Sequence, residues 1–359
     1  MTVTRIAVGG EHPYQVVVGT GVLGELPPLV GDAARTVVVI HPEGLGEIAR
    51  PVCGVLAAAG YRVHAEPVPA SEAAKDIAVA VSLWSRLAAH RVTRTDAIVA
   101  VGGGATTDLA GFVAASWLRG VRVVLVPTTL LGVTDAAIGG KTAINIPAGK
   151  NLVGAFHPPA GVLADLAVLE SLPPGEYVSG LAEVIKAGFI ADPVILDLVE
   201  ADPAGAVVPH GQHARELVER AVRMKAEVVT DDLREAGRRE MLNYGHTLGH
   251  AIERVENYQV RHGEAVSIGM VYVAELARLA GKLDTATVAR HQRVLSAVGL
   301  PTTYRPGAWH SLREAMSVDK KSRGARLRFV VLAGLAQPVM LDNPGEDVLA
   351  EAYRGVTGR

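Results

Sequence analysis

The segment Ala97-Ile98-Val99-Ala100-Val101-Gly102-Gly103-Gly104-Ala105-Thr106-Thr107-Asp108 decides the fold. Its first five residues are small, apolar and partly β-branched, and read as a buried strand. Three glycines end that strand, and Asp108 to Leu118 reads as a helix. Thr36–Ile40, Tyr61–Ala65 and Val121–Pro127 read as further strands. Between them, Arg50–Gly60 reads as a helix closed by its glycine, and Ser71–His90 as one long helix. Strands alternating with helices imply a parallel sheet covered on both faces. Ligands of such sheets bind at the carboxyl ends of the strands.

From Pro173-Pro174 onward the pattern changes. Glu176–Ile190, Pro193–Glu200, Ala214–Val229, Leu242–Val255, Glu264–Leu279 and Thr285–Val298 all carry helical periodicity, with one β-like run at Leu327–Leu332. No internal repeat or low-complexity tract is present. The expected architecture is an α/β, Rossmann-like nucleotide-binding domain over residues 1–172 and a mostly α-helical metal- and substrate-binding domain over 173–359. A cleft between them is the default expectation for an active site.

A chain of 359 residues is long enough for two such cores. Aromatic residues are only 4%, so the interior must be built from Val, Leu, Ile and Ala. A net charge of −2 gives no global attraction to nucleic acid or to a membrane surface, so any basic site must be local. The lone Cys53 excludes an internal disulfide. Met1–Gly10 lacks a charged-then-apolar leader, and no apolar run reaches the roughly 18 residues of a spanning helix. A soluble, cytoplasmic protein is expected.

Three groups of residues carry chemistry. The glycine turn Gly102–Gly104, opening a helix whose first N–H groups are unpaired, can cradle a pyrophosphate. Pro127-Thr128-Thr129 ends the next strand on the same sheet edge. In Asn243-Tyr244-Gly245-His246-Thr247-Leu248-Gly249-His250, two histidines four apart share a helix face. With His262, just before the next helix, and Glu183 they offer four candidates for a three-ligand divalent site with an open position. Spacing alone leaves open which histidine stays off the metal. Finally Lys141, Lys150 and Lys186 sit in glycine-rich or apolar surroundings, Lys225 interrupts an apolar helical face, and Arg239 and Lys320 add further cations. Buried cations require anions, and a phosphorylated, carboxylated substrate would supply them.

Those segments together resemble the bacterial 3-dehydroquinate synthases over nearly the whole chain. Gly102–Asp108, Pro127–Leu131, Asp135–Asn145, Gly149–Gly154, Gly180–Lys186, Leu242–Glu253, His262–Val266 and Asp319–Lys321 carry the likeness. The resemblance implies a dehydroquinate synthase-like fold and a homodimeric, NAD- and zinc- or cobalt-dependent carbon–oxygen lyase of the shikimate pathway, which leads to chorismate and the aromatic amino acids. Such an enzyme converts 3-deoxy-D-arabino-heptulosonate 7-phosphate to 3-dehydroquinate and phosphate. Transient oxidation, phosphate elimination, re-reduction, ring opening and aldol closure leave no net redox change.

By that resemblance the metal ligands are Glu183, His246 and His262, and His250 faces the substrate. NAD contacts fall on Glu72, Lys75, Gly103, Gly104, Asp108, Thr128, Thr129, Asp135, Lys150 and Ser171. Substrate contacts fall on Asp135, Lys141, Asn151, Lys186, Lys225, Glu235, Arg239, Asn243, His250 and Lys320, and Arg119 reaches a neighbouring subunit. The chain departs from the family pattern at His41-Pro42-Glu43 and at Ser71, both in the adenosine-binding region. Other sugar phosphate cyclases and metal-dependent NAD polyol dehydrogenases are the alternatives. Lys186, Asn151, Arg239 and Asn243 favour the dehydroquinate pattern, and a dehydrogenase would accumulate NADH.

Overall fold

In the computed structural model the strands are β1 (Thr4–Val8), β2 (Tyr14–Gly19), β3 (Thr36–Pro42), β4 (Arg62–Val68), β5 (Ala97–Gly102), β6 (Arg122–Pro127), β7 (Lys141–Ile146), β8 (Gly149–Phe156), β9 (Gly161–Asp165), β10 (Arg328–Leu332) and β11 (Pro338–Asp342). The structure describes residues 2–323 and 327–358, the side chains of 318–323 excepted. The chain forms two units, Met1–Leu172 with Lys225–Arg234, and Pro173–Met224 with Glu235–Arg359.

In the first unit seven strands form one sheet in the order β1-β2-β9-β6-β5-β3-β4. All pairings are parallel except β1 with β2. Every residue of β3, β5 and β9 is buried, as expected for strands covered on both faces. On one face Val37, Val39, Val99, Val101, Val124 and Leu163 pack with Ala49, Val52 and Leu56 of the helix Gly46–Ala58. Each large aliphatic side chain buried there contributes about 1.5–3 kcal/mol. The strand order reverses between β3 and β5, which puts the glycine turn after β5 at the crevice where ligands of such sheets bind.

Several expected elements differ. The run Ser71–His90 is not one helix: a short 3-10 turn, Ser71–Lys75, precedes the helix Ile77–Ala89. Asp76 stands between them in extended conformation, and its carboxylate caps the Ala78 N–H at 2.7 Å. The segment Lys225–Arg234 is the end of a helix, Ala214–Asp231, whose earlier turns belong to the second unit. It joins the first unit through the ion pair of Lys225 with Asp135 (2.5 Å) and the bond from the Gly9 N–H to Thr230 Oγ1 (2.8 Å).

The second unit is built around the helix His262–Leu279, which is buried almost all round. Two of its glycines set how near its neighbours come. A Cβ on Gly263 would stand 1.8 Å from the Ser179 carbonyl oxygen, and one on Gly269 would stand 1.9 Å from that of Gly245. Ser179 lies on the helix Pro174–Ile190, which carries Glu183, and Gly245 caps the helix His246–Val255. Backbone-to-backbone packing at these two points brings together the three helices that carry Glu183, His246 and His262. The β-like run is strand β10, paired antiparallel with β11.

Candidate active site

Glu183, His246 and His262 converge in the second unit. Glu183 Oε1 lies 3.4 Å from His246 Nε2 and 3.5 Å from His262 Nε2. Four ligands at about 2.1 Å around a tetrahedral ion are spaced by about 3.4 Å. Glu183 Oε1 is also buried with no hydrogen-bond partner, which is costly unless a cation or proton lies beside it. The other carboxylate oxygen is held by the buried Lys186 ammonium, which also donates to the Leu242 carbonyl at 2.7 Å. Lys186 thus leaves one lobe of the carboxylate for a metal. Burial raises the Glu183 pKa, but Lys186 and His246 outweigh it and hold the carboxyl well below its ordinary range.

Both imidazoles are oriented from behind. His246 Nδ1 lies 3.1 Å from the Tyr244 carbonyl and His262 Nδ1 lies 3.4 Å from Glu253 Oε1. An acceptor behind each Nδ1 directs Nε2 at the site, the usual arrangement around metal-bound histidine. Burial lowers the His262 pKa, yet Glu183 and Glu253 more than offset it and raise it to about 10. A second set, His250, Glu253 and His262, also brings ligand atoms together. Glu183 favours the first set, because its orphaned oxygen faces two imidazole nitrogens in a buried place. His250 is exposed, one helical turn after His246, with its ring edge-on at 5.3 Å.

Nearby in sequence, Asn243 Nδ2 donates to Glu235 Oε1 at 2.6 Å, and Arg239 is buried, 2% exposed. The side chain of Lys320 lies outside the described residues. Glu253 and Tyr244 escaped the sequence reading as site residues. For Glu253 a signal existed: it follows His246 by seven and His250 by three, on the same helix face. Tyr244 acts through its backbone, which no residue type reveals.

In the first unit the turn after β5 places Gly103 as N-cap of the helix Gly104–Ser116. A Cβ on Gly103 would come within 3.1 Å of Thr129 Cγ2, and one on Gly104 within 3.1 Å of Ala136 Cβ. The glycines thus bring bare backbone N–H groups to a helix start between Thr129 and Ala136, a ready anion cradle. Lys75 is buried and pairs with Asp108 at 2.5 Å and with Asn151 Oδ1. Burial raises the Asp108 pKa to about 6, against the opposing pull of Lys75. Asn145 Nδ2 donates to Glu72 Oε2 at 2.6 Å, and Lys150 stands 4.0 Å from Glu72. Thr128 and Ser171 both line a pocket of about 570 Å³ at the ends of β6 and β9, with Val126, Ile48, Glu47 and Glu170 also in its wall. Lys225 is buried on Asp135, whereas Lys150 is partly exposed and Lys141 exposed. Arg119 is exposed with φ +70°, beside Leu118 at φ +49°.

Two family models match the chain: "3-dehydroquinate synthase N-terminal" over residues 66–179 and "3-dehydroquinate synthase C-terminal" over 180–322. Among curated relatives, the 3-dehydroquinate synthase of Thermobifida fusca is 67% identical over 359 residues, covering 100% of this chain and 98% of the relative. That of Streptomyces avermitilis is 60% identical, covering 98% of each chain. Among solved structures, a 2-deoxy-scyllo-inosose synthase complexed with carbaglucose-6-phosphate, NAD+ and Co2+ superimposes with TM-score 0.88 at 27% identity, over 98% of this chain and 99% of that one. A 2-epi-5-epi-valiolone synthase from Streptomyces hygroscopicus with NAD+ and Zn2+ bound gives the same TM-score, identity and coverage. An iron-containing alcohol dehydrogenase from Corynebacterium glutamicum, 19% identical with TM-score 0.68, shares the fold alone. Matched by both family models and by relatives along its full length, the chain belongs to the 3-dehydroquinate synthase family.

Proposed function

We propose that this protein converts 3-deoxy-D-arabino-heptulosonate 7-phosphate to 3-dehydroquinate and inorganic phosphate, with NAD and one divalent metal, zinc or cobalt, as resident cofactors. The observation that carries the reading is the 67% identity to a 3-dehydroquinate synthase along the whole chain. The convergence of Glu183, His246 and His262 supports the metal. When bound, NAD supplies a reversible hydride acceptor and the metal a Lewis acid for a substrate hydroxyl.

The chain's own residues do the rest. Glu183, His246 and His262 hold the ion. His250, exposed one helical turn after His246, is placed to take a proton from a substrate carbon or hydroxyl. Gly103 and Gly104 receive the pyrophosphate on backbone N–H groups. Thr128, Thr129 and Ser171, with Glu72, Lys75, Asp108 and Lys150, would hold the rest of the dinucleotide. Asp135, Lys141, Asn151, Lys186, Lys225, Glu235, Arg239, Asn243 and Lys320 bind the substrate, the cations among them neutralising phosphate and carboxylate. Charge that develops as phosphate leaves meets cations already in place.

Residues 1–172 form the NAD-binding domain and 173–359 the metal- and substrate-binding domain in this proposal. The protein works as a cytoplasmic homodimer in which Arg119 reaches the second copy. Unshielded apolar side chains in the first unit support a partner surface, Leu118 being 39%, Leu152 56% and Phe156 46% exposed.

The test is incubation with the heptulosonate phosphate, metal and substoichiometric NAD, following phosphate and absorbance at 340 nm together. Phosphate released in stoichiometric amount without growth of NADH supports the lyase. NADH that accumulates with turnover would mark a dehydrogenase instead.

A further inference from the structure

A fully buried polar pair of the second unit lies behind the proposed metal ligands. Tyr244 and His291 are both 0% exposed. The Tyr244 hydroxyl lies 2.8 Å from His291 Nε2, and His291 Nδ1 lies 2.8 Å from the Thr287 carbonyl. A carbonyl only accepts, so Nδ1 carries the proton and Nε2 must accept from the tyrosine hydroxyl. The His291 ring is stacked on Phe189, with centroids 3.5 Å apart and planes 9° from parallel. Its orientation is therefore fixed by two hydrogen bonds and a flat contact.

At the other end of the same residue, the Tyr244 carbonyl faces His246 Nδ1 at 3.1 Å. By the same logic Nδ1 of His246 is the donor, and its Nε2 keeps the lone pair that faces Glu183. The peptide after Tyr244 cannot drift, because Gly245 is left-handed (φ +79°) and a Cβ there would stand 2.8 Å from the Met270 backbone nitrogen.

We infer that Tyr244 is a positioning residue that sets the tautomer and ring orientation of His246, and that His291 is the anchor holding it. This rests on the ligand set proposed above. His291 follows His246 by 45 positions in sequence, and nothing in its own segment marks it as part of the site. Outer partners of metal-bound histidines typically change metal affinity by about 10–100-fold when removed.

The test uses the full-length protein stripped of metal. Zn2+ affinity is measured by competition with a chromogenic chelator, and the melting temperature of the metal-free protein is measured alongside. Tyr244→Phe and His291→Phe are each expected to weaken Zn2+ binding at least tenfold, and the double variant by no more than either alone. His291→Gln keeps an acceptor for the tyrosine hydroxyl and is expected to stay within about threefold of the unsubstituted protein, a smaller change than loss of an outer partner brings. A purely structural role would lower the melting temperature of all these variants while leaving Zn2+ affinity unchanged; that result, or equal affinity in His291→Gln and His291→Phe, overturns the inference. Glu183→Gln serves as control. If it binds Zn2+ normally, the ligand set itself is wrong. If it loses Zn2+ while Tyr244→Phe does not, only the positioning role is lost.

Discussion

Burial drives the His291 pKa down from 6.5 to about 4, with the Thr287 carbonyl opposing. The unfolded chain therefore takes up a proton near pH 6.5 that the folded chain refuses until near pH 4. The stability this contributes is fully present above pH 6.5 and is lost as pH falls toward 4. Over the whole window 2.5 units correspond to about 3 kcal/mol, and between pH 7 and pH 5 the loss is about 2 kcal/mol. Other groups titrate in the same range, so the reading is a difference between the protein and His291→Gln. Trp309 reports on the second unit, where it packs against Tyr353 with centroids 5.4 Å apart. Replacing Trp84 and Trp117 of the first unit by Phe isolates its fluorescence. Urea unfolding at pH 7 and pH 5 should show the parent losing about 2 kcal/mol more than the variant. Equal losses would mean that His291 is not held neutral, and that its hydrogen bonds to Tyr244 and Thr287 are not those described.

Glu183→Gln should reduce bound metal from one to below a tenth per chain, measured by elemental analysis after gel filtration; retained metal would place the ion elsewhere. Gly103→Val adds bulk 3.1 Å from Thr129 and over the helix start. It should weaken NAD binding by more than tenfold in a fluorescence titration, whereas an unchanged affinity would remove the glycine turn from the cofactor site. Lys75→Met leaves the Asp108 carboxylate without its ion-pair partner. It should destabilise the first unit by about 3 kcal/mol, as loss of one member of a buried pair does, read from Trp84 and Trp117. No loss would show that Asp108 is solvated.

Strands β3, β5 and β6 were legible because each is a nearly continuous apolar run that ends in a turn, whereas the short β9, buried at the centre of the same sheet, was not read as a strand. Thr36–Pro42 and Ala97–Gly102 needed nothing else. The strands β1 and β2 were not legible, because β2 is placed by pairing with β9, some 145 residues away, as in Val16 with Val162. The break at Asp76 hid inside helical periodicity, since a capping carboxylate looks like any polar residue of an exposed face. Likewise the metal candidates stood out by type and spacing, but four were available for three places. Three-dimensional placement adds an asymmetry: one orphaned oxygen of Glu183 faces two imidazole nitrogens, while His250 lies exposed at the side. The acceptors behind those imidazoles, Glu253 and the Tyr244 carbonyl, come from tertiary packing. For Tyr244 that packing depends on glycines whose spacing does not suggest metal chemistry.

Whether Glu183, His246 and His262 share one ion is settled most directly by X-ray absorption at the cobalt edge of the Co2+-loaded protein and its single variants. Two imidazoles and one carboxylate oxygen should surround the metal, with one imidazole lost in His246→Ala, one lost in His262→Ala, and none lost in His250→Ala. Loss of an imidazole in His250→Ala with His246→Ala unaffected would move the ion to the His250, Glu253 and His262 set and contradict the site as described.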